Sequence, residues 1–211
     1  AQNMQNNRNM EKLKLTEEWD KTFPKSDKVD HSKVTFVNRF GITLAADLYV
    51  PKIAVADKFP AIAVSGPFGA VKEQSSGLYA QTLAERGFLT IAFDPSFTGE
   101  SSGQPRSVAS PDINTEDFSA AVDYLATRPD VDAERIGILG ICGWGGFAIN
   151  AAANDTRIKA TVASTMYDIS RANANGYFDA ADNADARYRM RRELNAQRTK
   201  DYRTGTYPCT T

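Results

Sequence analysis

Residues 135–146 read Arg-Ile-Gly-Ile-Leu-Gly-Ile-Cys-Gly-Trp-Gly-Gly, and a run of mostly small residues follows from Phe147 to Asn154. The first half is apolar and typical of a buried strand, whereas the second half is a glycine-rich turn. A strand that enters a helix through such a turn forms a nucleophile elbow, in which one strained residue presents its side chain to substrate. Glycine suits this turn because the backbone packs closely against the sheet. The stretch therefore predicts an α/β sheet with a reactive residue at the end of a strand.

Two registers of this turn fit the sequence. With Cys142 as the presented residue, Gly140 lies two positions before it, but Trp144 lies two positions after it, where a small residue is expected. With residue 144 as the presented one, Cys142, Gly145 and Gly146 are all small, but an indole cannot attack a carbonyl. Strand length and the Gly-Gly pair favour the second register. Chemistry favours the first, because a helix N-terminus stabilises a cysteine thiolate.

The order of apolar and amphipathic stretches predicts the fold class. Strands and helices alternate after an initial hairpin, which is typical of a doubly wound, mostly parallel sheet with helices on both faces. In such sheets ligands bind beyond the carboxyl ends of the strands. The predicted strands cover residues 34–37, 42–50, 59–66, 88–93, 136–141 and 158–164, and the predicted helices cover 10–19, 78–86, 117–128, 145–153 and 184–200.

A loop that follows the buried strand at 59–66 is a candidate oxyanion site. It reads Ser65-Gly-Pro-Phe-Gly69. In an elbow enzyme this loop supplies one backbone N–H to the oxyanion, and the residue after the nucleophile supplies the other. Pro67 has no N–H, so Phe68 is the expected donor here and Gly145 the expected donor at the elbow, with Pro67 beside them in the pocket.

The loop after the next strand runs from Asp94 to Gly103 and contains a second, literal match to the elbow pattern. Residues 99–103 read Gly-Glu-Ser-Ser-Gly. Polar residues precede this match and no helix follows it for about a dozen residues, so the strand-turn-helix context is missing. We therefore interpret Ser101 as a false match and the loop as one that shapes a pocket, with Asp94 at its wall.

Several of these motifs together resemble a known group of enzymes. They are Val-Ser-Gly-Pro-Phe-Gly (64–69), Ala-Phe-Asp-Pro-Ser (92–96), the strand and turn at 135–142, and Gly-Gly (145–146). The stretch from Phe59 to about Tyr167 thereby resembles bacterial α/β-hydrolases of the dienelactone-hydrolase-like group. Relatives commonly end the elbow as Ile-Cys-Ala-Ser-Gly-Gly, which aligns serine with Trp144. Dienelactone hydrolases proper use a cysteine, in a turn one residue shorter. The resemblance implies a hydrolase fold and acyl-bond chemistry.

The remaining members of a catalytic triad are harder to assign. The sequence has a single histidine, His31, which precedes the first predicted strand, whereas the histidine of this fold follows the last strand. Asp168, just after the last predicted strand, is a candidate acid, with helix capping as the alternative. The predicted strands stop about two short of the fold's usual eight, so we expect an N-terminal portion of a longer hydrolase whose histidine lies beyond residue 211.

Composition narrows the classes of partner. Of 211 residues, 25 are Lys or Arg and 26 are Asp or Glu, which leaves a net charge of −1 and gives no electrostatic basis for binding nucleic acid. No apolar run reaches the roughly 18 residues that a membrane span requires. We expect a small-molecule acyl substrate, with neither a cofactor nor a metal.

The ends of the chain suggest a location and a domain organisation. The start at Ala1 is typical of a protein cut after a signal peptide, which predicts a secreted or periplasmic protein, with a trimmed chain as the alternative. Cys142 and Cys209 are not expected to pair, because Cys142 lies inside a tight turn. The predicted domains are a polar lead (1–30), an α/β-hydrolase core (31–168) and an incomplete helical segment resembling a cap (169–211).

Two functions follow from these observations. In the first, Cys142 attacks an ester or related acyl bond, Phe68 and Gly145 stabilise the oxyanion, and Asp168 serves as the acid, with Trp144, Pro67 and Asp94 lining the pocket. In the second, the protein is a non-catalytic relative in which Trp144 fills the nucleophile slot and binds an apolar or sugar ring.

Overall fold

The computed structural model describes residues 10–53 and 57–208. Ala1, on which the prediction of export depends, and Cys209, which is predicted to be unpaired, lie outside this range. The described chain divides into two compact units, the first ending at Met166 and the second beginning at Tyr167.

Six strands in the described part of the first unit form one sheet. They are β1 (Val29–Val37), β2 (Thr43–Pro51), β3 (Phe59–Ser65), β4 (Leu89–Phe93), β5 (Val131–Ile141) and β6 (Ile158–Ser164). The order across the sheet is β1-β2-β4-β3-β5-β6. β1 pairs with β2, and β2 with β4, in antiparallel fashion, whereas β4, β3, β5 and β6 run parallel. This confirms the predicted doubly wound, mostly parallel sheet with an antiparallel hairpin at its start.

Helices pack on both faces of this sheet, as adjacent residues of β4 demonstrate. Ala92 packs with Ala80 and Ala84 of one helix, whereas the ring of Phe93 lies 5.3 Å from that of Phe118 in another. Successive side chains of a strand point to opposite faces, so the two helices cover opposite sides of the sheet. The helices of this unit are α1 (Ser75–Ala84), α2 (Pro111–Ala126) and α3 (Gly143–Asn154).

The N-terminal lead (residues 10–28) is ordered without regular secondary structure. The helix predicted over 10–19 is therefore wrong. Instead, Trp19 donates its indole N–H to the carbonyl of Phe23 at 2.8 Å, and the Phe23 side chain is buried. β1 begins five residues earlier than predicted, and its polar members His31 and Lys33 pair with Tyr49 and Asp47 of β2.

The second unit is helical and small. None of the residues of its two α-helices is buried within it. Arg171 bonds to Asp179, and Arg187 bonds to Asp182, so local ion pairs hold its turns. No helix in the described ranges is long and apolar enough to cross a membrane. The function of this unit as a cap stays a prediction. Its elements are α4 (Ile169–Asn175), a 3₁₀ turn (Tyr177–Asp179) and α5 (Ala184–Thr204).

Candidate active site

The turn between β5 and α3 is strained at one residue. Cys142 has φ 58° and ψ −126°, whereas β5 ends at Ile141 and α3 begins at Gly143. A non-glycine residue in this conformation costs about 1–3 kcal/mol and persists only where its surroundings enforce it. The strained residue of the turn is therefore Cys142, as the first of the two predicted registers requires. The register that puts Trp144 in that slot is wrong, because Trp144 lies inside the first turn of α3.

Two hydrogen bonds hold this conformation. The N–H of Cys142 donates to the carbonyl of Ser164 in β6 at 2.8 Å, and its own carbonyl accepts the N–H of Gly145 at 3.0 Å. Gly145 is thus engaged and cannot offer its N–H to an oxyanion, so that part of the prediction is wrong. The N–H that directly follows Cys142 belongs to Gly143, at the start of α3, where N–H groups have no carbonyl partner within the helix.

Two glycines make room for Trp144 where a small residue was expected. A Cβ on Gly66 would lie 2.5 Å from the carbonyl oxygen of Ile141 and 2.8 Å from the Cβ of Trp144. A Cβ on Gly140 would lie 2.3 Å from the carbonyl oxygen of Trp144. Both approaches are closer than real Cβ atoms allow, so the absence of side chains at Gly66 and Gly140 lets α3 pack with a tryptophan in its first turn.

Trp144 is a buried wall of this site. Its side chain is 2% exposed, and its ring lies 5.8 Å from that of Phe68 and 5.2 Å from that of Phe147. Phe68 itself is 53% exposed, so it covers the indole from the solvent side. The indole N–H has no hydrogen-bond partner among the described residues.

The β3 loop (residues 66–72) brings Pro67 and Phe68 beside the elbow. Its start is fixed because the Ser65 hydroxyl donates to the carbonyl of Phe93 at 3.0 Å. Its end is fixed because the N–H of Lys72 donates to Asp94 at 2.8 Å. Pro67 is half-buried. Through Gly66 this loop contacts the elbow backbone directly.

Asp94 does not line an open pocket, contrary to the prediction. The residue is fully buried, and its carboxylate accepts the Lys72 ammonium at 2.8 Å and the N–H of Glu100 at 2.9 Å. A carboxylate removed from water needs such partners. Burial raises the pKa of Asp94, and the Lys72 ammonium opposes that rise. Asp94 therefore organises the loops around it and does not face substrate.

Lys72 is the centre of a larger ion cluster that sequence reasoning missed. Its ammonium is fully buried and contacts Asp94, Glu100 and Glu73. Burial would lower the pKa of Lys72, but these carboxylates raise it above its usual range, so the group stays charged. The only signal in the sequence is a Lys-Glu pair directly before a helix. The ion cluster consists of Asp20, Lys21, His31, Lys33, Asp47, Lys72, Glu73, Asp94 and Glu100.

His31 belongs to this cluster. Its Nε2 lies 2.7 Å from Asp47, and its ring packs against those of Trp19 and Tyr49 at 5.1 and 5.2 Å. His31 lies within β1. The prediction that it precedes the first strand is therefore wrong. These contacts join the lead to the sheet, so His31 has a structural explanation that requires no catalysis.

Ser101 and Asp168 are also explained by local structure. The Ser101 hydroxyl is buried, donates to the carbonyl of Asp94 at 2.7 Å and accepts the N–H of Ala45 at 2.9 Å. It therefore braces a loop and does not form an elbow. Asp168 caps α4 by accepting the N–H of Arg171 at 2.9 Å, and its role as a catalytic acid stays a prediction.

Comparison with known proteins identifies the family to which the chain belongs. The sequence model of the family described as X-Pro dipeptidyl-peptidase (S15 family) matches residues 41–205. The uncharacterized protein PA2218 of Pseudomonas aeruginosa is 66% identical over 92% of the chain and 52% of its own length. Its crystal structure superposes on 93% of the chain, and on 61% of the solved chain, with a TM-score of 0.90.

Two further proteins extend the comparison. The thiohydrolase aneE of Aspergillus aculeatus is 34% identical over 61% of the chain and 39% of its own length. The α/β hydrolase GrgF of a Penicillium species is 24% identical and shares the fold, with a TM-score of 0.70 over 85% of the chain and 57% of its own. The chain spans about half the length of PA2218, at 52%.

Proposed function

Since the chain belongs to the family described as X-Pro dipeptidyl-peptidase (S15 family) and has an α/β-hydrolase fold, we propose that it supplies the nucleophile and oxyanion site of an enzyme that hydrolyses carboxylic esters or related acyl bonds. The observation that carries this proposal is the strained backbone of Cys142 between β5 and α3. Thioesters belong to the proposed substrate class, because one relative is named a thiohydrolase.

The proposed reaction begins at the sulfur of Cys142. The thiolate adds to the acyl carbonyl carbon, and the carbonyl oxygen becomes an oxyanion near the N–H groups of Gly143 and Phe68. Collapse of this intermediate breaks the bond to the leaving alcohol or thiol, which takes up the proton that the cysteine lost. Water then adds to the enzyme thioester and releases the carboxylic acid and the free thiol.

The placement of Cys142 at the N-terminus of α3 supports the nucleophile assignment. The twelve residues of α3 direct the positive end of their dipole toward the turn, which favours a thiolate and a developing oxyanion. Cys142 is partly accessible, as a nucleophile must be. His31 bonds to Asp47 instead, so the proposal gives it no role in proton transfer.

Selective loss of the thiol tests this proposal. Cys142→Ala and Cys209→Ala variants are assayed on a panel of aromatic and alkyl esters and thioesters, before and after treatment with iodoacetamide. We expect Cys142→Ala to reduce turnover at least about 10³-fold, while Cys209→Ala matches the wild type and remains sensitive to alkylation. Full hydrolysis by Cys142→Ala, or by protein alkylated at Cys142, would overturn the assignment.

A non-catalytic binding protein is the second candidate, and the buried, unpartnered indole N–H of Trp144 favours it. A donor left without a partner is stabilised when a ligand supplies an acceptor. This candidate predicts no turnover on the ester and thioester panel. It also predicts that an aromatic ligand binds in calorimetry and that Trp144→Phe weakens that binding. Hydrolysis that depends on Cys142 would rule it out.

A further inference from the structure

Asp94 joins the β3 loop, which borders the candidate active site, to the loop that follows β4. One carboxylate oxygen accepts the N–H of Lys72, the last residue of the β3 loop, at 2.8 Å. The other accepts the N–H of Glu100, in the β4 loop (residues 94–103), at 2.9 Å and the Lys72 ammonium at 2.8 Å. The carboxylate therefore fixes the backbone of both loops, and it does so while fully buried.

The β4 loop is shaped around this carboxylate. A Cβ on Gly99 would lie only 2.2 Å from a carboxylate oxygen of Asp94, and Gly99 has φ +55°. No side chain fits there, so the backbone of the loop packs directly against the Asp94 carboxylate. The ammonium of Lys72 also contacts Glu100 at 2.7 Å, which closes a ring of bonds through three residues.

The β3 loop, which Asp94 fixes at Lys72, contacts the elbow at its other end. Its first residue, Gly66, lies against the carbonyl oxygen of Ile141 and the Cβ of Trp144. The centre of the Phe68 ring, in the same loop, lies 5.8 Å from that of Trp144. A shift of Lys72 would therefore alter the position of Phe68 relative to Cys142, since only a few residues separate the two anchors of the loop.

We propose that Asp94 is a positioning residue that holds the β3 loop so that the Phe68 N–H faces the oxyanion formed at Cys142. The proposal rests on the acyl-transfer function proposed above and adds a residue that touches neither substrate nor nucleophile. Misplacing a reacting or stabilising group by about 1 Å costs on the order of 10²-fold in rate, so the anchor of such a loop affects turnover.

Asp94→Asn is the variant that tests this role. The amide keeps the size of the side chain but provides one acceptor oxygen where two backbone N–H groups and an ammonium require two. Lys72 keeps Glu73 and Glu100 as counterions. We expect kcat to fall about 10- to 100-fold, with KM within about twofold and an unchanged rate of Cys142 alkylation by iodoacetamide, because the elbow itself is intact.

Asp117→Asn is the matched control. Asp117 is equally buried and also accepts a backbone N–H from the β4 loop, that of Ser96 at 2.8 Å. Its other partners are the Ser96 hydroxyl and the amides of Asn38 and Asn114, none of which belongs to the β3 loop. Both variants should lower the urea midpoint of unfolding, but only Asp94→Asn should lower kcat.

The outcomes separate the two proposals. Wild-type turnover that requires Cys142, together with a kcat for Asp94→Asn equal to that of Asp117→Asn, would overturn the positioning role and leave the nucleophile in place. Absence of Cys142-dependent turnover in the wild type would overturn both. If Asp94→Asn does not fold, Lys72→Met/Asp94→Asn removes both buried charges together, and the same loss of kcat is expected from it.

Discussion

At the scale of single residues, Cys142 combines a reactive atom with a backbone conformation that its neighbours enforce. Its φ is positive, at 58°, with ψ at −126°, and its N–H and C=O are both hydrogen-bonded across the turn. Such strain persists because the contacts around it are numerous and fixed. The residues that surround the turn therefore affect stability strongly, even where they contribute no chemistry.

Gly66→Ala should lower the free energy of unfolding by about 2–4 kcal/mol. The added methyl would lie 2.5 Å from a backbone oxygen of Ile141, which cannot move without displacing the elbow. Gly69→Ala is the matched control, because Gly69 also has positive φ but has open space around it. That control should cost only about 1 kcal/mol, from backbone strain. Equal urea midpoints for the two variants would contradict the steric explanation.

The sequence allowed the elbow to be located but not its register. Glycines at 140, 143, 145 and 146 fit either register, since each register requires small residues near the turn. The choice depends on space that distant residues provide, above all Gly66 from another strand. The spacing of residues within 135–146 cannot predict that contact, because Gly66 is far away in the sequence. For the same reason the engaged N–H of Gly145 could not be foreseen.

At the scale of elements, the N-terminal lead is ordered by the charges beneath it. The N–H of Thr16 donates to Glu100 at 2.6 Å, and the N–H of Thr22 donates to the carbonyl of Glu73 at 3.0 Å. Lys21 reaches Asp47 at 3.0 Å. The lead thus covers the ion cluster. Its polar groups bond to residues of that cluster, and the lead forms no helix. Periodicity could not predict this arrangement, because it depends on partners far along the chain.

The ion cluster should give the protein an acid-sensitive component of stability. Burial works to raise the pKa of Glu100, but hydrogen bonds from Lys33 and Lys72 outweigh it and lower the pKa from 4.5 to about 2. A carboxylate with a depressed pKa stabilises the fold above its unfolded pKa and loses that contribution as pH falls through the folded value. Glu100 should therefore stabilise the protein above pH 4.5 and cease to do so near pH 2.

Urea unfolding of Glu100→Gln at several pH values measures this component. The wild type should be more stable than the variant at pH 6, and the difference should shrink as the pH is lowered from 4.5 toward 2. Glu134→Gln removes a carboxylate that is 83% exposed and should differ little from the wild type throughout. A difference for Glu100→Gln that is constant across this range would refute the linkage.

At the scale of the whole molecule, the sheet is buried unevenly from one edge to the other. Every residue of β4 is buried, whereas β6 has no fully buried residue. Val162 in β6 is 53% exposed and borders an open apolar groove that Ile62, Leu83 and Ile138 also line. Local opening should therefore start at this edge, where few apolar contacts oppose it.

Hydrogen exchange measured by mass spectrometry should follow this gradient. We expect the amides of β3 and β4, which have a neighbouring strand on each side, to exchange most slowly. Peptides from β6 should exchange faster by at least about tenfold, because opening an edge strand costs less than global unfolding. Protection of β6 equal to that of β4 would contradict the gradient.

The global pattern was the most predictable part of this protein. Continuous apolar runs and glycine-rich strand ends led to the correct sheet, because burial on both faces leaves a clear signal in the sequence. β6 was predicted with its observed bounds, Ile158–Ser164. The ion cluster was not predictable, since a buried lysine resembles a surface lysine until its three carboxylates are brought together by the fold.

The two tryptophans of the sequence lie in two different regions, one in the N-terminal lead and one beside the elbow. Trp19, in the lead, meets the His31 ring of β1 edge-to-face, and Trp144 is enclosed beside the elbow. The fluorescence of each tryptophan therefore reports on its own region, Trp19 on the lead and Trp144 on the candidate active site. Emission from Trp144 should be blue-shifted by its apolar surroundings, and emission from Trp19 should shift to the red if the lead leaves the sheet and the indole enters water. Single-tryptophan variants would thus report release of the lead and occupancy of the site separately, without any added label.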